Sequence, residues 1–313
     1  MEHGTTPVAP SPYGEVMRVV ISGATGLIGS ALTDHLRTNG HTVVRLVRRA
    51  ASGDDVQWDP ATGSLPADAL RGADAVVHLA GAGIGDQRWT DAYRNEILQS
   101  RTKSTALLAD AIASTPDGPK IFLSGSAIGF YGATGDERLD ETSPAGTGFL
   151  ADVCHQWEAA ADPAAAAGAR VALLRTGIVL TPKGGALKKM LPLFKLGAGG
   201  RFGSGRQWQS WISLDDEVGA ITHLLTSDIA GPVNLTAPNP VTSAEFAKVL
   251  GKVLRRPALF PVPRFGPALL LGGELADALL FTGQRVLPAA LERSGYRFQH
   301  TTLDAALRAL LVG

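Results

Sequence analysis

The segment Gly23-Ala24-Thr25-Gly26-Leu27-Ile28-Gly29 constrains the fold of this chain more than any other. It follows the apolar, β-branched run Met17–Ser22 and opens a helical stretch from about Leu27 to Thr38, which Asn39-Gly40 ends. Each glycine has a reason in such a turn. Gly23 permits the tight reversal, Gly26 removes the Cβ that would block a pyrophosphate, and Gly29 lets the helix pack close to the strand. The free N–H groups and dipole of the helix start favour an anion there. The spacing is GxxGxxG rather than GxGxxG, but a strand precedes it and a helix follows it. It therefore predicts dinucleotide binding by Gly23, Ala24, Thr25, Gly26, Leu27 and Ile28, with a purely structural turn as the alternative.

The rest of the chain extends this unit. A second apolar strand over Thr42–Val47 completes a strand–helix–strand element, which requires parallel strands and a right-handed crossover. Further apolar runs lie at Ala75–Leu79, Lys120–Ser124 and Val171–Arg175. Between them come a long helix from a Thr90 cap through Ala113 and a helix over 148–161. Buried strands alternating with helices predict an α/β fold, a doubly wound parallel sheet of Rossmann type. After Thr181 the texture changes to a glycine-rich stretch, Gly184–Gly205, with one short helix near Ala186–Leu196. Trp211–Leu214 reads as a strand, Asp215 and Asp216 as caps of the next helix, and Thr242 or Ser243 as the cap of a helix through Leu254. The expected division is a disordered tail over 1–16, a dinucleotide-binding domain over 17–182 and a smaller α/β substrate domain over 183–313, with 211–235 returning to the sheet.

Composition narrows the function classes. The 29 Lys+Arg balance the 29 Asp+Glu, so no broad field exists for gripping nucleic acid or a membrane surface. Neither partner is expected. The single cysteine, Cys154, excludes an intrachain disulfide and a cysteine-cluster metal site, and suits a reducing cytoplasm. No metal site is expected. No segment approaches the roughly 18 to 20 apolar residues of a membrane span, and the first 16 residues lack the features of a signal peptide.

About 20 residues beyond the glycine turn, an acidic residue would hold a ribose 2′-OH and repel a 2′-phosphate. Here Arg48 and Arg49 follow Val47, and guanidinium groups suit a phosphate. The expected cofactor is NADP(H) rather than NAD(H).

SGATGLIGSAL, VVHLAGAGIGDQRW, SGSAIGFYG, LRTGIVL, GSGRQWQSWISLDD and VNLTAPNPVTSAEFA follow one another from about Met17 toward the C-terminus. Together they resemble the atypical extended short-chain dehydrogenases/reductases, and more narrowly the bacterial epimerase-family, sugar-nucleotide epimerase-like branch. The resemblance implies an NADP(H)-dependent oxidoreductase or epimerase-like enzyme. Its substrate would be a small polar carbonyl or alcohol, free or nucleotide-linked. Leu79, Ala80 and Gly81 would run under the cofactor.

The resemblance fails at the proton-transfer pair and at one residue of the long helix. Extended members carry a catalytic Tyr-x3-Lys pair, yet none of Tyr13, Tyr93, Tyr131 and Tyr296 has a lysine four residues on. Anchored on Trp157-Glu158, the pair falls on Leu150 and Cys154, which cannot replace its proton chemistry. The family's asparagine in the long helix becomes Arg101, counted back from Ser104-Thr105, and is expected to contact a ribose or phosphate. Ser124 and Ser126 end the fifth strand. Ser126 is the expected catalytic serine and Ser124 a cofactor contact; a capping or turn role is the alternative. Tyr131 is the candidate substitute acid. His78 reads as packing in the sheet. Arg206, Gln207 and Trp208 are candidates for substrate recognition, or for packing between domains. The missing pair also leaves open a non-catalytic NADP(H)-binding module that senses redox state or regulates a partner.

Overall fold

A computed structural model describes residues 15–49 and 52–312, so most of the expected tail lies outside the described residues. The first half of the chain contains β1 (Arg18–Ser22), α1 (Leu27–Thr38), β2 (Thr42–Val47), β3 (Val56–Gln57), β4 (Ala75–His78), α2 (Asp91–Ser114), β5 (Ile121–Ala127), β6 (Arg138–Leu139), α3 (Phe149–Ala159), α4 (Asp162–Ala166) and β7 (Arg170–Thr176). The second contains β8 (Ile178–Leu180), α5 (Gly185–Lys195), β9 (Trp208–Gln209), β10 (Trp211–Ser213), α6 (Leu214–Thr226), β11 (Gly231–Leu235), β12 (Val241–Thr242), α7 (Ser243–Leu254), α8 (Phe265–Leu271), α9 (Gly273–Ala276), β13 (Arg285–Val286), α10 (Ala289–Arg293) and α11 (Leu303–Leu311).

Seven strands form one parallel sheet in the order β11-β7-β5-β4-β1-β2-β3. Strand order reverses between β1 and β4, and this switch point opens a crevice at the carboxyl ends of the strands. One face of the sheet packs Val19, Ile21, Leu123 and Leu174 against α1 and α6. The other packs Val20, Val76, Phe122 and Val171 against α2 and α4. β4 is buried along its whole length, and β1 from Val19 onward. That is why both read as apolar runs without alternation. A separate core joins α5, α7 and α11 around Trp211, Leu250 and Leu307.

Several local expectations change. The helix expected over 148–161 is α3, which ends at Ala159, and an additional short helix, α4, follows with Pro163 in its first turn, where its missing N–H costs nothing. Trp211–Ser213 pairs with β8 outside the large sheet. The cap of α6 is Ser213, whose hydroxyl accepts from the Asp216 N–H, and neither Asp215 nor Asp216 holds the cap position. Asp216 is instead a buried tie: it accepts from the Ser213 hydroxyl and from the backbone N–H groups of Gln299 and His300, fastening the C-terminal segment to α6. The candidate caps Thr242 and Thr90 do cap α7 and α2.

The next residue, Glu217, is also fully buried. Its carboxyl accepts from the Thr176 hydroxyl at 2.9 Å, while Oε2 has no partner among the described residues. Burial pushes its pKa from the usual 4.5 up to about 8. The folded protein then holds a proton that the unfolded chain has released, so stability falls as pH rises from about 4.5 through about 8. Thermal midpoints at pH 5 to 9 should show this decline, and Glu217→Gln should flatten it and exceed the wild type at pH 8 to 9. Parallel profiles for the two proteins would rule out a buried proton on Glu217.

Candidate functional site

The crevice is built where the glycine turn meets the end of β4. A Cβ on Gly23, at φ +72°, would lie 2.6 to 2.7 Å from the Leu79 and Ala80 backbone. One on Gly29 would lie 2.2 Å from the Gly23 carbonyl oxygen. Both positions are therefore closed to any side chain. Gly26 differs: its Cβ would meet only the Gly23 oxygen, at 3.2 Å. Gly26 is the N-cap of the 12-residue helix α1 and offers no side-chain hydrogen bond to it. The first N–H groups of α1 are left without a cap at an exposed Thr25-Gly26 corner. This shape and charge fit a pyrophosphate, since the helix start supplies donors and the missing Cβ supplies room.

Arg48 and Arg49 are exposed just past β2, on the same carboxyl edge as the glycine turn, because Leu46 pairs with Ser22. The nearby carboxylate of Asp55 is taken by a bidentate bond from Arg45, at 2.7 and 2.6 Å. It is thus compensated rather than left to oppose a phosphate.

Beneath the crevice lies a row of polar side chains from three adjacent strands. Ser22, His78 and Ser124 are in register across β1, β4 and β5 and are fully buried. Ser104 donates to the Ser100 carbonyl at 2.6 Å, so its oxygen accepts from His78 Nε2–H at 3.0 Å, and Nδ1 accepts from the Ser22 hydroxyl. Burial, with the positive charge of Arg101 nearby, holds the imidazole down at about 3. His78 is a neutral packing residue. The Ser124 hydroxyl has no partner among the described residues, which leaves an orphaned polar atom at the carboxyl edge of the sheet.

Ser126 and Tyr131 belong to a second network. Glu158 accepts from the Ser126 hydroxyl at 2.6 Å and from both sides of the Arg175 guanidinium at 2.8 Å. Arg175 also donates to the Tyr131 oxygen at 3.0 Å, and Tyr131 donates to Asn234 Oδ1 at 2.7 Å. The Arg175 guanidinium lies 3.4 Å over the Phe130 ring. Asn234 continues to the Leu287 carbonyl. The sequence placed Tyr131 as the substitute acid, and the structure corrects this. The ring is fully buried, its hydroxyl proton is committed to Asn234, and burial raises its pKa. The proton of Ser126 is likewise committed, so Ser126 offers an acceptor rather than a donor. Cys154, in the place of the family lysine, is buried and its thiol is pushed up to about 12.

The candidate recognition loop is mostly internal bracing. Gln207 donates to the Phe202 and Leu280 carbonyls. Trp208 donates to Asp136 at 2.6 Å, with the Arg285 guanidinium 4.2 Å over its ring. Arg206 is exposed. Sequence reasoning missed Glu158, Arg175 and Asn234, although Glu158 had served as an alignment anchor. The segment Gln284–Pro288 carries no chemical motif in the sequence. That segment bonds to Ser210, Leu139 and Asn234 across the carboxyl side of the sheet.

Arg101, on α2, stacks 5.0 Å from the Trp157 ring above Gly81, where a Cβ would lie 3.4 Å from its Cγ and Cζ. The structure thus brings Arg101, Leu79, Ala80, Gly81 and the glycine turn to one crevice. It seals Tyr131 beneath it.

Removing the Tyr131 hydroxyl leaves Asn234 and Arg175 short of a buried partner. Tyr131→Phe should therefore destabilise the fold by about 1 to 3 kcal/mol, read as a lower thermal midpoint, while cofactor affinity stays unchanged. An unaltered midpoint would contradict the network.

Comparison with known proteins agrees with this geometry. Residues 19–235 match the model of the NAD dependent epimerase/dehydratase family, and residues 262–310 match a domain of unknown function, DUF1731. Epimerase family protein Mb2239 of Mycobacterium bovis is 47% identical over 92% of this chain and 96% of its own length. The human epimerase family protein SDR39U1, crystallised with NADPH, superposes with a TM-score of 0.86 at 36% identity, covering 95% of this chain and 100% of that one. A nucleoside-diphosphate sugar epimerase of Corynebacterium glutamicum gives a TM-score of 0.77 at 39% identity over 95% of this chain and 58% of that one. With more than half its residues matched by that model, this chain belongs to the NAD dependent epimerase/dehydratase family.

Proposed function

We propose that the protein is an NADP(H)-dependent oxidoreductase or epimerase-like enzyme acting on a small polar carbonyl or alcohol. The observation that carries this reading is the uncapped start of α1 at Gly26, open to a pyrophosphate, beside the exposed Arg48–Arg49 pair. The NADPH in the human relative's crystal supports the choice of cofactor. When bound, the cofactor supplies hydride chemistry. The chain would hold the pyrophosphate on the Gly23–Ile28 backbone, the 2′-phosphate on Arg48 and Arg49, and the nicotinamide half along Leu79, Ala80 and Gly81. Ser126, whose hydroxyl donates to Glu158, would accept a hydrogen bond from a substrate hydroxyl.

A second reading is kept by a specific observation. Leu150 and Cys154 stand where the family's proton-transfer pair belongs, and Tyr131 is sealed in. A non-catalytic NADP(H)-binding sensor would look the same. Screening the purified protein for NADPH oxidation against a carbonyl panel separates the two: turnover supports the enzyme, and cofactor binding with no turnover supports the sensor.

NADPH should bind at least about tenfold tighter than NADH, since charge-assisted bonds to a phosphate contribute about 1.5 to 3 kcal/mol each. Arg48→Glu with Arg49→Glu should remove most of that difference. Gly26→Val should abolish binding of either nucleotide without unfolding the chain, because its side chain would fill the pyrophosphate's space. Equal affinities for the two nucleotides by titration calorimetry would sink the phosphate assignment, and retained binding in the valine variant would make the turn structural only.

A further inference from the structure

We propose that Arg101 is the anion-binding residue of the substrate site, and that the substrate is a small carbonyl compound carrying a carboxylate or a phosphate. This rests on the NADP(H) reading above and deepens it. Three other inward-reaching arginines among the described residues are compensated. Arg175 is held by Glu158, Arg45 by Asp55, and Arg170 donates to the carbonyls of Ile229, Leu224 and Leu225. Arg101 is half-buried and has no such partner. Of its five N–H donors, one on Nη1 reaches the Ile97 carbonyl at 3.0 Å; the others have no acceptor among the described residues. It lies within electrostatic reach of Tyr93, Cys154 and the neutral His78, and no carboxylate forms an ion pair with it among the described residues. Those unpaired donors stay open to the crevice, and an anionic ligand there would take them with charge-assisted bonds.

Placement says which ligand. The pyrophosphate seat is the start of α1, after β1, and Arg48 and Arg49 lie beyond β2. Arg101 lies on α2, which follows β4, on the other side of the switch point. There its guanidinium lies over Gly81, in van der Waals reach of that residue, and its aromatic stack on Trp157 fixes its plane. This is the half of the crevice where substrate meets the nicotinamide. It is also the region where the family's lysine would have carried a positive charge and where Cys154 carries none. A planar guanidinium with free donors takes a carboxylate or phosphate in bidentate fashion.

The test uses the complex with NADP+, in which no reduction can occur. Calorimetry would compare pyruvate with methyl pyruvate, and dihydroxyacetone phosphate with dihydroxyacetone. At least one charged probe should bind tenfold or more tightly than its neutral partner, and the pair that does so tells carboxylate from phosphate. Arg101→Gln should abolish the preference and change NADP+ affinity less than threefold. Arg101→Lys should keep part of the preference. If the Gln variant does not fold, Arg101→Met, which keeps the stem on Trp157, replaces it.

Three results overturn the proposal. The first is that neither charged probe binds better than its neutral partner. The second is that the preference survives in the Gln or Met variant. The third is that NADP+ affinity falls tenfold in those variants, which would give Arg101 to the cofactor. If the wild type binds no NADP+, the cofactor reading fails on its own, and the same probes titrated against the free protein still decide whether Arg101 takes an anion.

Discussion

Everything at the carboxyl edge depends on how closely the backbone of the glycine turn approaches the end of β4. The Cβ positions of Gly23 and Gly29 fall within 2.2 to 2.7 Å of main-chain atoms, so neither residue tolerates substitution without moving a strand or a helix. That approach holds α1 against β1 and directs its uncapped start toward the crevice. It also fixes Leu79-Ala80-Gly81, and with it the floor beneath Arg101. Gly26 is the exception within the motif: its lack of a Cβ serves a ligand rather than packing.

Apart from the unpartnered Ser124 hydroxyl, the buried polar groups described under this edge form two sets. Ser22, His78 and Ser104 pass hydrogen bonds across β1, β4 and α2, and burial keeps the imidazole neutral. Ser126, Glu158, Arg175, Tyr131 and Asn234 join β5, α3, β7 and β11. The second set reaches the segment after β13 through the Leu287 carbonyl. A buried ion pair adds little net stability by itself, but breaking it strands a charge. Its role here is geometric: it locks the strand ends and the C-terminal segment into one arrangement.

The sheet and its cofactor edge were legible in the sequence because they rest on local rules. α1 over Leu27–Thr38 and β2 over Thr42–Val47 agree with the reading residue for residue, since glycine punctuation and apolar runs set their limits. The two-residue strands β3, β6 and β9 were not legible, because two residues carry no periodicity. Tyr131 was misread for a different reason. Its place after the fifth strand suggested reach into the site, but its partner Asn234 lies 103 residues on and Arg175 lies 44 on. No local pattern encodes such a pairing. For Gln207 the sequence leaves recognition and packing both open, since the carbonyl that takes its donor, Leu280, lies 73 residues on.

The lost Tyr-x3-Lys pair and the inward network bear on the same question. A tyrosine and lysine at the positions of Leu150 and Cys154 would present a mobile proton and a positive charge to the crevice. In this chain the hydroxyls of Tyr131 and Ser126 point their protons at Asn234 and Glu158, and the Cys154 thiol holds its proton up to about 12. The protons are thus turned inward, whereas a positive charge remains, moved from α3 to α2 and from a lysine to a guanidinium. A lysine supplies a point charge on a flexible stem; a stacked guanidinium supplies a fixed plane of donors. Such a site is suited to orienting an anion and stabilising negative charge, and unsuited to taking a proton from an alcohol. With those protons turned inward, neither Tyr131 nor Ser126 is placed to give a proton to a ligand in the crevice, and the charge that faces the crevice is the guanidinium of Arg101.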